Sequence, residues 1–330
     1  MQRSILQERI KSVKDQDFEE LALAVFRYQA ASNALYRQYL DLLSVAQEQV
    51  RQLSDIPFLP IQFFKAHSIQ SGIWSSEKVF SSSATTGSVP SQHLVRDEMW
   101  YRENARRGFT HFYGPLEDYV VLALLPSYLE RTGSSLILMA EDFIQESNQE
   151  LGGFYLYEQD ALLAQINKIS SETNKRILLL GVSFALLDLA EQHGQPLPSG
   201  TIVMETGGMK GRRKELTRTE LHNILQEAFR LPNIHSEYGM TELFSQAYSK
   251  GEGLFYPCPS MKVMTREITD PLSLRNDERT GALNIIDLAN LDTISFIATE
   301  DLGKVYADGS FEILGRLDAS EIRGCNLMVI

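Results

Sequence analysis

Between residues 118 and 238 short apolar runs alternate with amphipathic stretches, and few folds can absorb that rhythm. "YVVLALL" (119–125) and "SLILMA" (135–140) are predicted as buried strands, and residues 160–170 as an amphipathic stretch. Next come a strand "RILLLG", a helix "FALLDLAEQH", a strand "TIVMET", a helix "KELTRTELHNILQEAFR" and a strand "NIHSEYG". Strands alternating with helices imply a doubly wound, mostly parallel α/β sheet. Ligands of such sheets sit at the carboxyl ends of the strands. The loops after Val79-Phe80, after "TIVMET" and after "NIHSE" are therefore predicted to gather.

The flanks read differently. Residues 1–75 form a helical N-terminal segment, 76–252 the α/β core, 253–317 a smaller β-rich subdomain, and 318–330 a short tail. Asp17 with Glu20 resembles a capping box opening a helix that runs to about residue 51. "DIPFLPIQFFK" (55–65), broken by two prolines, is an ordered connector. Beyond 253, "GLFYPCPSMKVMTREI", "GALNIIDL", "TISFIATEDLGKV" and "SFEILGR" are short strands separated by turn residues.

With 43% hydrophobic residues among 330, the chain can build a substantial core. A net charge of −12 repels nucleic-acid phosphates and anionic membranes, which argues against both as partners. The longest apolar run is too short to span a bilayer. The charged N-terminus is not a signal peptide, and two cysteines, Cys258 and Cys325, fit a reducing compartment. A cytoplasmic location is expected.

Five strings offer chemistry. "SSSATTGSVPS" (81–91) combines small hydroxyl residues with free backbone N–H groups, which suits a phosphate; alone, a flexible polar loop is the plainer reading. In "ETGGMKGRR" (205–213), Gly207 and Gly208 expose bare backbone to a flat ligand beside the cations Lys210, Arg212 and Arg213; a solvated turn is the plainer alternative. "EYGMTE" (237–242) offers Tyr238 to stack on a base, Gly239 to relieve a turn, Thr241 for a phosphate and Glu242 for Mg²⁺; a helix start would use the same residues. "TEDLG" (299–303) places Asp301 where a carboxylate can accept ribose hydroxyls. "LGRLDASEIRG" (314–324) places Arg316 near ribose or phosphate. His111 and His235 are candidate acid–base groups, and Cys258 between prolines reads as structural.

In this order the strings resemble the signatures of the adenylate-forming superfamily: "TSGTTG-x-P-K", a glycine-rich adenine loop, "YG-x-TE", "TGD" and "GR-x-D". The likeness is nearer to the phenylacetate–CoA ligase-like branch. Within it, "F-x-x-LA…FRYQ…N-x-x-Y", "IPFLPIQFFK" and a cysteine close to the C-terminus resemble the acyl-protein synthetase of the luminescence fatty-acid reductase. The resemblance implies the large N-terminal domain of that fold, with its usual C-terminal domain missing. It implies ATP and Mg²⁺ as cofactors and a carboxylic acid of the fatty type as substrate. Ser83, Thr85, Thr86 and Gly87 would hold phosphates; Gly207, Gly208, Met209, Tyr238, Gly239 and Met240 would face adenine. Thr241 would reach a phosphate, Glu242 would bind the metal, and Asp301 and Arg316 would bind ribose. Cys325, beside Arg323, would accept the acyl group, and Lys210 would neutralise charge in place of the family's C-terminal lysine. The sequence departs from the pattern at Ala84, Ser91 and Glu300. Three outcomes follow: transfer to Cys325 and on to a partner such as a reductase; transfer to CoA or a carrier protein; or a non-catalytic nucleotide-binding subunit.

Overall fold

The computed structural model describes residues 2–82, 89–126, 133–207, 216–275 and 277–317. Its chain divides into two units: Met1–Glu98 with Glu242–Ser245 and Tyr256–Ile330, and Met99–Thr241 with Gln246–Phe255.

The first unit opens with helices α1 (Arg3–Lys11), α2 (Asp15–Ser32) and α3 (Ala34–Leu42). The single long helix predicted from Asp17 is thus two. Asn33 leaves the helical region at φ −99°, ψ 108°, and its side-chain oxygen caps α3 by accepting the Tyr36 N–H. The capping box at Asp17 is not formed: α2 starts at Asp15, with Lys14 at the N-cap and no side-chain cap. Leu21, Ala22, Val25, Phe26 and Ala30 of α2 are buried, the i, i+4 stripe that drives its packing. Gln29, fully buried on the same helix, donates to the carbonyls of Asn290 and Leu291 and accepts the Ser295 N–H. Arg3 pairs with Asp292, and Asn33 donates to the Thr293 carbonyl. The first helices are therefore fastened to a loop some 260 residues away in sequence. Strand β1 (Leu59–Pro60), helix α4 (Phe63–Ala66), and strands β2 (Lys78–Ser81) and β3 (Gln92–Val95) follow. β2 pairs only with β3, as an antiparallel ribbon. The strand that leads into the predicted phosphate loop is therefore not a strand of the parallel sheet, and residues 83–88 of that loop lie outside the described residues.

The second unit carries α5 (Glu98–Tyr113), β4 (Tyr119–Leu124), α6 (Ser135–Glu146), β5 (Gly153–Tyr155), α7 (Gln159–Glu172), β6 (Arg176–Val182), α8 (Ser183–His193), β7 (Ile202–Thr206), α9 (Arg218–Phe229), β8 (His235–Tyr238) and β9 (Ala247–Ser249). The order β5-β4-β6-β7-β8 is parallel throughout, and β9 joins it antiparallel to β8. β4 is buried along its whole length, which is why it reads as an unbroken apolar run. "SLILMA" is a helix, not a strand. Ser134 caps it by accepting the Ile137 N–H, and Leu138, Met139, Asp142 and Phe143 bury one helical face. The sheet and its flanking helices are the predicted doubly wound α/β arrangement.

The chain then forms β10 (Leu254–Pro257), β11 (Met261–Arg266), β12 (Leu274–Arg275), β13 (Gly281–Asp287), β14 (Phe296–Val305) and β15 (Phe311–Arg316). In the first unit β12-β11-β13-β14-β15 is an antiparallel meander, and β1 joins β14 in parallel. Gly303 lies at an irregularity where β15 comes close: a Cβ there would strike the Glu312 carbonyl oxygen and meet the Leu283 methyls at 3.1 Å. Gly303→Ala is expected to cost about 2 kcal/mol through overpacking, read as a lower midpoint of urea unfolding. An unchanged midpoint would show that β15 yields freely. Among the described residues, no helix is long and apolar enough to cross a membrane.

Candidate functional site

In the first unit the residues Glu242–Ser245 form a turn held from below. Glu242 is 6% exposed. Burial pushes its carboxyl above the usual range, and a Ser91 side-chain hydrogen bond with the charges of Arg316 and Lys65 draws it partly back. Those groups place Glu242, Arg316, Lys65 and Ser91 in one electrostatic neighbourhood. Arg316 also pairs with Asp301 at 3.1 Å, its register partner across β14 and β15. Asp301 is buried and Arg316 largely exposed, so the guanidinium is presented at the surface while its carboxylate partner is fixed.

Behind Asp301, Arg266 is buried and donates to the carbonyls of Leu283 and Thr299 and to Asn284 Oδ1. Desolvation lowers its pKa to about 10, so it stays charged at neutral pH. The Thr299 hydroxyl in turn accepts the Asp301 N–H, which locks the backbone of the "TED" string. Glu300 accepts from Gln62 at 2.7 Å, and its carbonyl accepts the Leu317 N–H.

The turn itself rests on Asp287. Its Oδ2 accepts the N–H groups of Phe244 (2.7 Å) and Ser245 (2.9 Å), and its Oδ1 accepts the Ser245 hydroxyl and the Ala289 N–H. Asn290 donates to the Glu242 carbonyl at 2.7 Å. The Phe244 ring lies 4.8 Å from that of His93, whose Nε2 meets the Thr293 hydroxyl. Cys258, buried with its thiol pKa pushed up by desolvation, ends the chain of contacts from Ser245 through Ser260.

In the second unit the carboxyl ends of β6, β7 and β8 gather buried polar groups. Ser183, first in α8, donates to Glu205 Oε2 and to the Gly207 carbonyl. Glu205 also meets Arg218 at 3.2 Å and His222 at 3.6 Å. Burial pushes Glu205 up, but the His222 hydrogen bond and the Arg218 charge outweigh it, and the carboxyl is held below its usual value. Glu237, the register partner of Thr206, accepts that hydroxyl. Desolvation, with the nearby Glu205 charge opposing ionisation, raises Glu237 to about 7 despite that bond. Gly239 follows at a position where a Cβ would collide with Glu237 Oε1. Tyr238 is buried edge-on against Phe255, and Met240 and Thr241 are half-buried. His235 accepts or donates at Tyr113 OH, and burial depresses its pKa to about 4, which leaves it neutral at physiological pH.

Of the residues singled out in the sequence, Glu242, Asp301 and Arg316 lie in the first unit, and Gly207, Tyr238, Gly239, Met240 and Thr241 in the second. Ser83, Thr85, Thr86, Gly87, Gly208, Met209, Lys210 and Cys325 lie outside the described residues. Glu205, Glu237, Asp287, Asn290 and Arg266 were not singled out: each acts through partners far away in sequence. Among the described residues no group of three or more His, Cys, Asp and Glu side chains could hold a metal ion. A single buried carboxyl such as Glu242 nevertheless fits Mg²⁺, which commonly takes one or two carboxylates and leaves its remaining positions to water and phosphate oxygens.

No protein-family model matches the chain, and no curated protein matches it in sequence. Solved structures do match in fold. ATP-bound MatB from Rhodopseudomonas palustris is 13% identical with a TM-score of 0.53, over 72% of this chain and 47% of that one. A 2-hydroxyisobutyryl-CoA ligase in complex with 2-HIB-AMP and CoA is 14% identical with a TM-score of 0.67, over 94% and 71%. O-succinylbenzoate coenzyme A synthetase (MenE) from Bacillus subtilis, in complex with AMP, is 17% identical with a TM-score of 0.51, over 73% and 50%. The chain thus spans about half the length of MatB and MenE. The fold is that of the large N-terminal domain of adenylate-forming ligases.

Proposed function

We propose that this chain activates a carboxylic acid with ATP and transfers the acyl group to a thiol. The observation that carries the reading is the convergence of Glu242, Asp301 and Arg316 in one unit of this fold. It is supported by the ATP, AMP and acyl-adenylate held by the similar structures.

In the first half-reaction a carboxylate oxygen attacks the α-phosphorus. A new O–P bond forms, the bond from that phosphorus to the bridging oxygen breaks, and pyrophosphate leaves. In the second, a thiolate attacks the acyl carbon, the C–O bond to phosphate breaks, and AMP leaves; the thiol proton has passed to solvent. Catalysis of this kind rests on positioning and on neutralising charge. Glu242 would hold a Mg²⁺ ion, which when bound supplies positive charge to the phosphate oxygens. Asp301, fixed by the Thr299 hydroxyl and Arg316, would accept ribose hydroxyls. Thr85, Thr86 and Gly87 would cradle phosphates, and Tyr238 with Gly207, Gly208 and Met209 would bound the adenine. Lys210 would offset charge on pyrophosphate.

The substrate we propose is a fatty acid, and the first acceptor Cys325, which would pass the acyl group to a reductase or carrier protein. Incubation with ATP, Mg²⁺ and radiolabelled fatty acid is expected to leave hydroxylamine-labile label on the protein, lost in Cys325→Ser. Label that persists in Cys325→Ser would remove that cysteine from the reaction. CoA in the 2-hydroxyisobutyryl-CoA ligase complex favours a second reading, with free CoA as acceptor. Acyl-CoA formed at undiminished rate by Cys325→Ser would select it.

A further inference from the structure

We infer that Asn290 and Asp287 are positioning residues for Glu242, acting together as a brace that fixes the backbone from which its carboxyl projects. The inference deepens the proposed function and rests on its assignment of Glu242.

A carboxylate that must meet a metal ion on a phosphate needs its Cα and Cβ fixed, because a displacement of about 1 Å can cost on the order of 10²-fold in rate. No regular element supplies that rigidity here: residues 242–245 lie between β8 and β9 in neither helix nor strand. Hydrogen bonds to the peptide units of the turn supply it instead. Asn290 Nδ2 holds the Glu242 carbonyl, and Asp287 holds the next N–H groups but one and two, of Phe244 and Ser245, together with the Ser245 hydroxyl.

The brace is itself anchored. Asp287 ends β13, in register with Met261 of β11, and its own N–H donates to the Ser295 carbonyl. It caps the short 3₁₀ turn Leu288–Asn290 through Ala289, so one turn carries both bracing side chains. The Leu288 N–H is bound by the Ser260 carbonyl, and Ser260 meets the Ser245 hydroxyl at 2.9 Å. Asp287 is fully buried and Asn290 1% exposed. A buried carboxylate that accepts four hydrogen bonds, three of them from one turn, is more than packing needs. A buried apolar pair of similar shape would fill the same volume with no desolvation cost. The polar arrangement is specific to the geometry of that turn.

The experiment measures ATP affinity by titration calorimetry, with Mg²⁺ and with EDTA, in wild type, Asn290→Ala, Glu242→Gln and the double variant. Amide hydrogen exchange of peptides covering 242–246 is followed alongside. Asn290→Ala is expected to weaken Mg²⁺-dependent binding about 10-fold, as loss of a group that orients a metal ligand does, and to leave binding in EDTA unchanged. It should add nothing on the Glu242→Gln background. The Phe244 and Ser245 amides should exchange faster. Asn290→Leu, which keeps the volume without the donor, should behave the same way and covers a collapse of the alanine variant. Asp287→Asn should show the faster exchange as well. Equal loss with and without Mg²⁺, or full additivity with Glu242→Gln, would reduce Asn290 to a structural residue and overturn the inference. A wild type whose ATP affinity ignores Mg²⁺ would instead overturn the role of Glu242, and with it the purpose of the brace.

Discussion

Glu242→Gln is expected to slow ATP–pyrophosphate exchange driven by the carboxylic acid by on the order of 10²- to 10³-fold, the usual cost of deleting one preorganised electrostatic partner of a transferring group. The substitution keeps the shape of the side chain and removes only its charge. Stability should move the other way. The folded-state pKa of Glu242 lies above its unfolded value because the carboxyl is buried. A raised carboxyl favours the folded protein while protonated, and that contribution is lost as pH rises. At neutral pH the neutral glutamine is therefore expected to match or exceed wild type in unfolding midpoint. Activity falling while stability holds is the signature of a charge kept for chemistry. Exchange at the wild-type rate in Glu242→Gln would discard this carboxyl from the reaction.

The second large effect concerns Glu237 and needs no assumption about function. Burial and the neighbouring Glu205 raise it to about 7, against an ordinary 4.5. Between those two values the folded protein holds a proton that the unfolded chain has released, so stability declines as pH rises through that window. The interval corresponds to about 3 kcal/mol at about 1.4 kcal/mol per pH unit. Glu237→Gln cannot titrate. The difference in unfolding free energy between the two proteins, from urea titrations at pH 4.5 and pH 8, should therefore shift by that amount, with glutamine gaining at the higher pH. Glu205 titrates in both proteins, held below its usual value, so its opposite dependence largely cancels. A pH-independent difference would mean that Glu237 is solvated more freely than its 7% exposure implies.

Both predictions concern residues of one hexapeptide, and the two were not equally legible. Glu242 stands in a motif whose neighbours suggested its task. Glu237 stands beside it, but its weakened acidity comes from burial and from the Glu205 charge, which the pairing of β7 with β8 brings near, and it persists against the Thr206 hydrogen bond. No local pattern fixes that register. Asp287 and Asn290 are hidden for the same reason: they meet the turn from 42 to 48 positions downstream. The strands β4, β6 and β7 were readable because each is a short apolar run between polar turns. "SLILMA" misled because six apolar residues suit a buried strand or one face of a helix; its continuation through Phe143 and Ile144 carries the helical period. The division of α2 from α3 depends on Asn33, whose preference for the cap outweighs helical neighbours on both sides.

The attachment of α2 to the loop at residues 290–295 bears on how the polypeptide emerges from the ribosome. At about 5–20 residues per second, the 261 positions separating Gln29 from its acceptor at Asn290 amount to roughly tens of seconds of translation. Throughout that interval Gln29 of α2 waits for its carbonyl acceptors, while the helix packs only on its near neighbours such as Tyr36. Residues 99–255 are complete before then, so the middle of this stretch can mature before α2 is fastened. A chain cut short before Asn290 would carry α2 with its buried glutamine unsatisfied.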